Sequence, residues 1–456
     1  MKIIIIGAGR TGCALIKALS ERNYDITVVE KQKSIIDAVT DKYNVSGFVG
    51  SGASKETLYK AGADTADVLI ALTPVDEINI LSCMQAKVVG TLKTCTRVFQ
   101  PDFAAERKQL EAEQGIDYVF NPKYDIAEEA ASSIGLPGVV KPEGIFGGRM
   151  QMVSVTITDD SPIRGKSLFE IKKGQVSELL ICTVLREGRL IVPDGKFTVE
   201  TGDIIGLAAC RENLFDVLKG IGIIREKTKK VMIVGGTVAA EYLIEMLLKS
   251  KKNITLIESD IDRCRELMEK YPDVNVSYGS GELADVLEDE RIGSMDAVVS
   301  LTENDEMNMV TSMYAWSRNV PSVITSVDAP EHLKLLHRVN LDITLSSSEI
   351  SVYKLIRFIR NCEIGAEKNE IEKYATVADN KAEVLQFSAD ESFKGLDKRF
   401  CDPQFKLKKN IIIASVIHNE ELIIPNGNSI IKKGDKVIVV ADRKTHIERL
   451  NDIIES

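Results

Sequence analysis

The chain begins with a glycine pattern whose chemistry would be the binding of phosphate groups. In MKIIIIGAGRTG, Gly7, Gly9 and Gly12 follow an apolar run and precede a helical pattern. The spacing G-x-G-x-x-G between a strand and a helix is typical of dinucleotide binding. Gly7 permits a tight turn, Gly9 lets a pyrophosphate approach the backbone, and Gly12 lets the helix pack closely on the sheet. The phosphates would then face the unpaired N–H groups at the start of the helix.

Other polar residues fall where they would line the same crevice. Arg10 and Thr11 lie in the first turn of the helix, where either could contact phosphate. Glu30 ends the second predicted strand, 18 residues beyond Gly12 (30 − 12), near the roughly 20 expected of an acid that binds ribose. A carboxylate there accepts hydrogen bonds from ribose hydroxyls and repels a 2′-phosphate, so NADP is disfavoured. Further candidates at the ends of the next three strands are Ser51, Gly52, Thr73, Pro74 and Arg97.

Three polar residues after the fourth strand could also have a catalytic or binding role. Asp76, Glu77 and Asn79 also suit the first turn of the helix that is predicted to begin there. We favour the helix-start interpretation over a catalytic or binding role.

A second glycine pattern, KKVMIVGGTVAAEYLIEML at residues 229–247, is a less complete version of the first. Gly235 and Gly236 remain, but Thr237 stands in the place of Gly9 and Ala240 in the place of Gly12. Thr237 adds a side chain where a phosphate would press, which predicts a weaker or different ligand at a site that keeps its fold. Arg97 is replaced by Ser326, whereas the acid and two strand-end residues persist as Glu258, Gly279 and Thr302.

The two patterns belong to a duplication that spans the whole chain. Gly7 matches Gly235 at an offset of 228, and LTPVDEINI from Leu72 matches LTENDEMNM from Leu301 at an offset of 229. Further on, LIVPDGKFTVETGDIIGLAA matches LIIPNGNSIIKKGDKVIVVA at an offset of 232 (422 − 190). Such long self-similarity at a nearly constant offset indicates an internal repeat.

Each half is predicted to contain a parallel sheet followed by a small mixed module. The runs KIIII, DITVVE, VSGFVG, ADVLIAL and KTCTRV alternate with helical patterns and end in a helix near 123–134. Strand–helix alternation of this kind predicts an α/β fold: two tandem Rossmann-like doubly wound parallel-sheet domains, each followed by a small α+β module. In the first small module, MQMVSVTIT, ELLICTVLREGRLIVP and DIIGLAA predict strands, with a tight turn at Glu187–Gly188 and a closing helix at ENLFDVLKGI.

The predicted boundaries follow the glycine, proline and charge runs between these segments. GLPGVVKPEGIFGGR (135–149), REKTKK (225–230) and the charged EIGAEKNEIEKYATVADNKAE (363–383) are predicted to be connectors. The predicted domains are 1–135 (first Rossmann-like domain), 148–222 (first small module), 229–362 (second Rossmann-like domain) and 381–456 (second small module).

Composition and charge exclude several classes of protein. With 44% apolar and 28% charged residues the chain is globular, and its net charge of −10 argues against a nucleic-acid partner. The sequence contains no run of about eighteen apolar residues, so no membrane span is predicted. The eight cysteines form no C-x-x-C pair, so we expect buried thiols in a reducing compartment and no metal site.

The residues required for catalysis are missing from the patterns. All four histidines lie in the second half, away from the better glycine turn, and no tyrosine has a lysine four residues later. Neither a nucleophile elbow nor a P-loop lysine pattern occurs. A nucleotide crevice without a proton donor predicts a sensor rather than an enzyme.

Several further stretches make the chain resemble the TrkA family, the regulatory subunits of Trk potassium-uptake systems, which carry tandem regulator-of-potassium-conductance units. These stretches are AGADTADVLIALTPVDEINI, RVFQPDF and VPDGKFTVETGD with their second-half echoes, and the resemblance covers essentially the whole chain. The resemblance implies a cytoplasmic protein, peripheral on the inner face of the membrane, that forms a homo-oligomeric ring (dimer or tetramer) beneath an integral-membrane potassium-transport subunit. It also implies that adenine nucleotides, NAD(H), ATP or ADP, bind the Rossmann-like units and gate potassium flux.

The resemblance further implies which residues contact the nucleotide. In the first unit they are Gly7, Ala8, Gly9, Arg10, Thr11, Glu30, Thr73, Pro74 and Arg97. In the second unit they are Gly235, Gly236, Thr237, Glu258, Gly279, Ser280 and Thr302, although GGTVAA departs from the glycine-richer family pattern. The alternatives left open are a nucleotide-sensing regulator of another cation channel or antiporter and, last, an NAD-dependent oxidoreductase. The small modules are expected to pack on each other or to bind an ion or a cyclic dinucleotide.

Overall fold

A computed structural model of the chain describes most of its residues. The described ranges are 1–20, 24–134, 140–144, 150–173, 179–210, 212–224, 228–339, 343–366, 370–378, 381–419, 421–445 and 447–455. Two compact units result, one formed by Met1–Ser132 with Lys229–Glu363 and the other by Ser133–Thr228 with Ile364–Ser456. The first unit holds two parallel sheets and the second holds two antiparallel sheets.

The first parallel sheet has the strand order β3-β2-β1-β4-β5-β6. Its strands are β1 (Lys2–Ile6), β2 (Asp25–Glu30), β3 (Ser46–Val49), β4 (Val68–Ala71), β5 (Lys93–Arg97) and β6 (Tyr118–Phe120). Its helices are α1 (Arg10–Ser20), α2 (Lys33–Lys42), α3 (Lys55–Lys60), α4 (Asp76–Val89), α5 (Pro101–Ala105), α6 (Arg107–Glu113) and α7 (Pro122–Ser133). The five predicted strands and the closing helix are confirmed, and β6 is a sixth strand that the prediction missed.

The central strand explains why this sheet is buried on both faces. Successive side chains of a strand point to opposite faces. Ile3 and Ile5 pack in one apolar cluster of the domain, and Ile4 and Ile6 pack in another. A continuous isoleucine run therefore suits a strand that is covered by helices on both sides.

The first antiparallel sheet has the order β10-β9-β11-β8-β7. Its elements are β7 (Val140–Gly144), β8 (Met150–Thr156), α8 (Leu168–Lys173), β9 (Leu180–Arg186), β10 (Arg189–Ile191), β11 (Ile204–Cys210) and α9 (Leu214–Gly220). The tight turn between β9 and β10 is confirmed, because Glu187 and Gly188 have φ of 50° and 73°, which is typical of a two-residue hairpin turn.

The second parallel sheet repeats the first, with the order β14-β13-β12-β15-β16-β17. Its strands are β12 (Lys230–Val234), β13 (Asn253–Glu258), β14 (Asn275–Tyr278), β15 (Ala297–Ser300), β16 (Val323–Ser326) and β17 (Ile343–Leu345). Its helices are α10 (Val238–Lys249), α11 (Ile261–Lys270), α12 (Ala284–Asp289), α13 (Asp305–Ser317), α14 (Pro330–Val339) and α15 (Ser347–Ala366).

The second antiparallel sheet has the order β18-β19-β22-β20-β21. Its strands are β18 (Ile371–Val377), β19 (Ala382–Ser388), β20 (Ile411–His418), β21 (Glu421–Ile423) and β22 (Lys436–Asp442). The predicted α/β fold class with two parallel-sheet domains and two small modules is confirmed.

Two of the predicted connectors contain structure. Val140–Gly144, inside the segment predicted as a linker, pairs with β8 as an edge strand, and the edge is where a sheet tolerates a proline such as Pro142. The charged segment after residue 362 instead completes α15 and forms β18 at the other sheet's edge, where charged side chains are commonly found. Both predictions are wrong for these residues, whereas 135–139, 145–149 and 225–227 lie outside the described ranges. The domain boundaries remain predictions.

Each unit is held together by an apolar cluster to which both halves of the chain contribute. In the unit of parallel sheets, Leu355 and Ile359 of α15 are fully buried in the apolar cluster of the first domain that also contains Ile3 and Ile5. In the unit of antiparallel sheets, one cluster combines residues of β8, β9 and β11 with residues of β18, β19, β20 and β22. Within the described ranges, no helix combines the length and the apolar character that crossing a bilayer requires.

Candidate nucleotide-binding sites

The first glycine turn joins β1 to α1 and is shaped by the absence of side chains. Gly7 has φ of +93°, and a Cβ atom there would lie 3.1 Å from the backbone nitrogen of Thr73. A Cβ atom on Gly12 would lie 2.2 Å from the carbonyl oxygen of Gly7, so the helix approaches the turn itself rather than only the sheet. Around Gly9, by contrast, a Cβ atom would meet nothing within 4 Å. The turn is therefore closely packed at Gly7 and Gly12 and open to the surroundings at Gly9.

The start of α1 offers unpaired donors to this open space. Within the described residues, no hydrogen bond is made to the backbone N–H groups of Arg10, Thr11 or Gly12. The side chain of Arg10 is 71% exposed, and its Nη1 lies 3.7 Å from Oδ2 of Asp328 in the second domain. A helix start with free N–H groups and a nearby guanidinium attracts an anion.

Glu30 does more than the sequence predicted, because it also organises the turn. Its Oε2 accepts a hydrogen bond from the backbone N–H of Ala8 at 3.1 Å, and its Oε1 accepts one from Lys31 at 2.7 Å. The carboxylate thus sits at the end of β2 against the glycine turn, where a ribose hydroxyl would also reach it.

Arg97 lies at the floor of the crevice and is only 9% exposed. Its guanidinium donates to the carbonyl oxygens of Leu72 and Thr73, and its Nη1 lies 3.4 Å from the Thr11 hydroxyl. Burial lowers the pKa of Arg97 to about 10, and the carboxylate of Asp76 opposes this effect. Nε has no hydrogen-bond partner among the described residues. A buried positive charge thereby lies beside the Thr11 hydroxyl in the first turn of α1.

Two of the residues predicted at the start of α4 make hydrogen bonds to the segments that follow β4 and β5. Oδ1 of Asn79 accepts hydrogen bonds from the backbone N–H and the hydroxyl of Thr73, and Nδ2 donates to the carbonyl oxygens of Thr73 and Arg97. Oδ2 of Asp76 accepts from the backbone N–H groups of Phe99 and Gln100 at 2.7 and 2.8 Å. Sequence reasoning placed these residues correctly at the helix start but missed this role.

The remaining strand-end candidates differ in their access to the crevice. Gly52 is buried, and a Cβ atom there would lie 2.1 Å from the side chain of Ile6, which indicates a packing role. Oγ of Ser51 accepts a hydrogen bond from the N–H of Ala53 at 3.3 Å. Pro74 is exposed beside Thr73 at the mouth of the crevice.

The second glycine turn has the same positive φ at its first glycine, but a side chain of the turn occupies one of the N–H donors at the helix start. Gly235 has φ of +102°, like Gly7. Thr237 is the N-cap of α10: its hydroxyl accepts from the N–H of Ala240 at 3.3 Å and donates to the carbonyl oxygen of Leu301 at 3.0 Å. Glu258 accepts from the N–H of Gly236, as Glu30 does from Ala8 in the first site.

An ion-pair network also covers the second turn. Arg263 donates from Nε to the carbonyl oxygen of Gly236 at 2.9 Å and pairs with Glu241 in the first turn of α10. Lys270 pairs with the same carboxylate. Although burial alone would raise the pKa of Glu241, hydrogen bonds from Lys270 and Arg263 lower it below its ordinary value. A carboxylate in the first turn of α10 is thus bound by two cationic side chains of the protein.

The other predicted residues of the second site make packing contacts and hydrogen bonds within their own domain. A Cβ atom on Gly279 would lie 2.6 Å from the side chain of Val286. The carbonyl oxygen of Ser280 accepts from the N–H of Leu283 at 3.1 Å. Thr302 is held by Asn308 through the same pattern that joins Thr73 to Asn79.

The TrkA-N domain family matches residues 3–122 and 231–347, more than half of the chain, and the TrkA-C domain family matches residues 152–219 and 401–454. The chain belongs to the TrkA family. The resemblance inferred from the sequence is confirmed.

Relatives match over essentially their full length. The Trk system potassium uptake protein TrkA homolog of Archaeoglobus fulgidus is 29% identical over 99% of this chain and 100% of its own. TrkA homolog 1 of Methanosarcina mazei is 28% identical over 98% of this chain and 99% of its own. These relatives place the TrkA-family chain among regulators of potassium transport rather than among enzymes.

Solved structures agree with the fold. The GsuK RCK domain superposes with a TM-score of 0.63 at 17% identity, covering 97% of this chain and 92% of that one. The GsuK channel bound to NAD gives a TM-score of 0.62 at 16% identity, covering 97% of this chain and 77% of that one. At such identities the likeness shows the fold of a TrkA-family chain, and nucleotide contacts by its residues remain a prediction.

Proposed function

We propose that this TrkA-family chain is the nucleotide-responsive regulatory subunit of a Trk-type potassium transporter. Relatives of the same length are named as Trk system potassium uptake proteins. The proposed partner is an integral-membrane potassium-transport subunit, which the chain would meet from the cytoplasmic side as a homo-oligomeric ring. The proposed ligand is an adenine nucleotide: NAD(H), ATP or ADP.

One observation carries the assignment of the ligand to the first site. The space above Gly9 is open, and the N–H groups that begin α1 have no partner among the described residues. A pyrophosphate would meet both features at once. Glu30 lies beside the turn and would repel the 2′-phosphate of NADP.

We propose that the two sites differ in their affinity for nucleotide. At the second site the hydroxyl of Thr237 takes the place that a phosphate oxygen would occupy at the helix start. A bound phosphate would have to displace this hydroxyl from the N–H of Ala240, so we propose that the second domain binds nucleotide more weakly and is retained for assembly.

The regulatory step is a shift between two arrangements of the ring. A ligand changes such an equilibrium only by as much as its affinities for the two arrangements differ. Typical couplings of about 1–3 kcal/mol would change transport activity several-fold or more. The first turn can supply this difference because Arg10 reaches from it to Asp328 of the second domain.

Calorimetric titration of NAD, NADH, ATP and ADP tests the assignment of the first site. Gly9→Val should reduce nucleotide affinity at least about 100-fold while the thermal unfolding midpoint stays unchanged, because the added side chain fills open space. Gly195→Val is the matched control, since a Cβ atom there also meets nothing within 4 Å. Unchanged affinity in Gly9→Val would refute the site.

Reconstitution with the membrane subunit tests the proposed partner. Potassium flux through a co-purified Trk-type subunit should depend on the nucleotide bound to the wild-type chain and lose this dependence with Gly9→Val. Co-purification with a different cation channel or antiporter would instead support the alternative regulator and contradict the Trk assignment.

A further inference from the structure

Two buried carbonyl oxygens at equivalent places in the two parallel-sheet domains receive their hydrogen bonds from different elements. Leu72 follows β4, and Leu301 follows β15 at an offset of 229 (301 − 72). Both residues are buried, and each carbonyl oxygen accepts a hydrogen bond from a side chain. A buried carbonyl oxygen without a donor is destabilising, so each domain needs a donor at this place.

In the first domain the donor comes from the end of the neighbouring strand, β5. Arg97 donates from Nη2 to the carbonyl oxygen of Leu72 and, at 2.9 Å, to that of Thr73. Because the guanidinium reaches this carbonyl from β5, the glycine turn does not have to supply a donor, and Gly9 leaves the space around it open. Within the described part of the chain, the N–H groups that begin α1 therefore stay without a partner.

In the second domain the donor comes from the glycine turn itself. Ser326 occupies the place of Arg97 at the end of β16 (326 − 97 = 229), and its side chain ends one atom beyond Cβ, well short of the reach of a guanidinium. The hydroxyl of Thr237 donates to the carbonyl oxygen of Leu301 at 3.0 Å and accepts from the N–H of Ala240 at 3.3 Å. One hydroxyl thus supplies the missing donor and also occupies the start of α10.

We propose that Arg97 is a positioning residue for nucleotide in the first site, because its hydrogen bond to the Leu72 carbonyl lets the turn keep a glycine. Ser326 and Thr237 are the reverse exchange: without the arginine the turn supplies a hydroxyl, and that hydroxyl stands where a phosphate oxygen would bind. This inference rests on the proposed function of the first site. It adds a residue outside the glycine pattern that makes the two sites different.

The second domain retains another feature of the place that Arg97 occupies. Asp305 is the counterpart of Asp76 (305 − 76 = 229), and each accepts hydrogen bonds from two backbone N–H groups that follow the next strand. Burial lowers the pKa of Arg97, and the charge of Asp76 opposes this effect. An arginine introduced at position 326 would have the equivalent carboxylate, so the exchange can be tested in both domains.

A double-mutant cycle in the full chain without nucleotide tests the exchange in the first domain. Threonine and valine have nearly the same shape, but only threonine has a hydroxyl. We would therefore compare Gly9→Thr with Gly9→Val, each with and without Arg97→Ser, by urea denaturation. The hydroxyl can cap α1 in both backgrounds, whereas the Leu72 carbonyl is free to accept it only when Arg97 is replaced.

The midpoint of the threonine variant should exceed that of the valine variant by more in the Arg97→Ser background than in the wild-type background. We expect the two differences to be unequal by at least about 0.3 M urea, because one buried carbonyl regains its donor. Equal differences in the two backgrounds would overturn the proposal.

Calorimetric titration with ADP tests the exchange in the second domain. In a chain whose first site is closed by Gly9→Val, Thr237→Gly with Ser326→Arg should bind ADP at least about tenfold more tightly than Thr237→Gly alone, because the arginine donates to the Leu301 carbonyl. Thr237→Val with Ser326→Arg is the matched control: it adds the same charge, keeps a side chain over the turn and should not bind ADP. Equal affinities with and without Ser326→Arg, or no binding by either, would overturn the proposal.

The two experiments separate this inference from the proposed function. A wild-type chain that binds none of NAD, NADH, ATP and ADP would contradict the proposed function, whereas the denaturation cycle contains no nucleotide and would still support the exchange of donors. Nucleotide binding by the wild type, together with equal threonine and valine differences in both backgrounds, would overturn only the role of Arg97.

Discussion

Asn79 and Asn308 hold together the strand ends at which the two candidate sites open. Each is 0–1% exposed and makes hydrogen bonds to a threonine and to the end of the next strand. We expect Asn79→Ala to destabilise the first domain by about 1–3 kcal/mol, because buried backbone groups lose their partners. Urea denaturation measures the loss, and the exposed Glu77→Ala should be nearly neutral. Equal stability of the two variants would contradict the structural role of Asn79.

Gly12 provides a second test at the scale of a single residue. In Gly12→Ala the new Cβ atom would lie 2.2 Å from the backbone oxygen of Gly7, so the turn or the helix must shift. We expect a loss of about 1–3 kcal/mol in unfolding free energy and weaker nucleotide binding. Gly9→Ala is the matched control and should unfold like the wild type. If Gly12→Ala binds nucleotide as tightly as the wild type, close packing of this turn is not required.

The glycines and Glu30 could be found from sequence because their chemistry depends on local spacing along one strand, turn and helix. The sequence predicted that the side chain of Thr237 would obstruct a phosphate. It did not predict that the hydroxyl of Thr237 would accept a hydrogen bond from the N–H of Ala240 and so cap α10. The role of Asn79 was missed because its partners Thr73 and Arg97 come from two different strands. Contacts between segments distant in sequence leave no local pattern.

At the scale of elements, α15 joins the two parallel-sheet domains. Leu355 and Ile359 are fully buried in the core of the first domain although they belong to the second half of the chain. We expect Leu355→Ala to cost about 2–5 kcal/mol of unfolding free energy. Chemical denaturation checks this value, with Leu335→Ala on α14, where the side chain is 48% exposed, as the control. A loss no greater than that of the control would show that α15 does not stabilise the first domain.

Most helices and strands are predicted correctly from the sequence, whereas several strands at sheet edges are not. Strands such as β1 are apolar throughout because helices cover both faces, which makes them easy to recognise. β18 contains Glu372 and Lys373, both exposed on an edge strand, and charged residues of this kind predict a connector rather than a strand. β7 contains Pro142, which an edge strand accepts. The short β6 and β17 were missed because each has only three residues.

At the scale of the whole molecule, the duplication explains why neither half is complete alone. The first half lacks the apolar residues that α15 adds to its core. In the unit of antiparallel sheets, Met152, Cys182 and Ala208 of the first half share a cluster with Val384 and Val440 of the second. A repeat that buries its apolar faces against its copy resembles a dimer whose subunits have become joined in one chain.

Separate expression of the halves tests this view. Residues 1–226 and 227–456, produced together as two polypeptides, should form a stable one-to-one complex, because two apolar clusters draw on both halves. Light scattering after size-exclusion chromatography gives the stoichiometry. Leu355→Asp together with Val384→Asp in the second half should abolish the complex, since each places a charge in a shared cluster. Halves that elute separately, or a complex that survives both substitutions, would show that the covalent connection rather than the shared cores holds the molecule together.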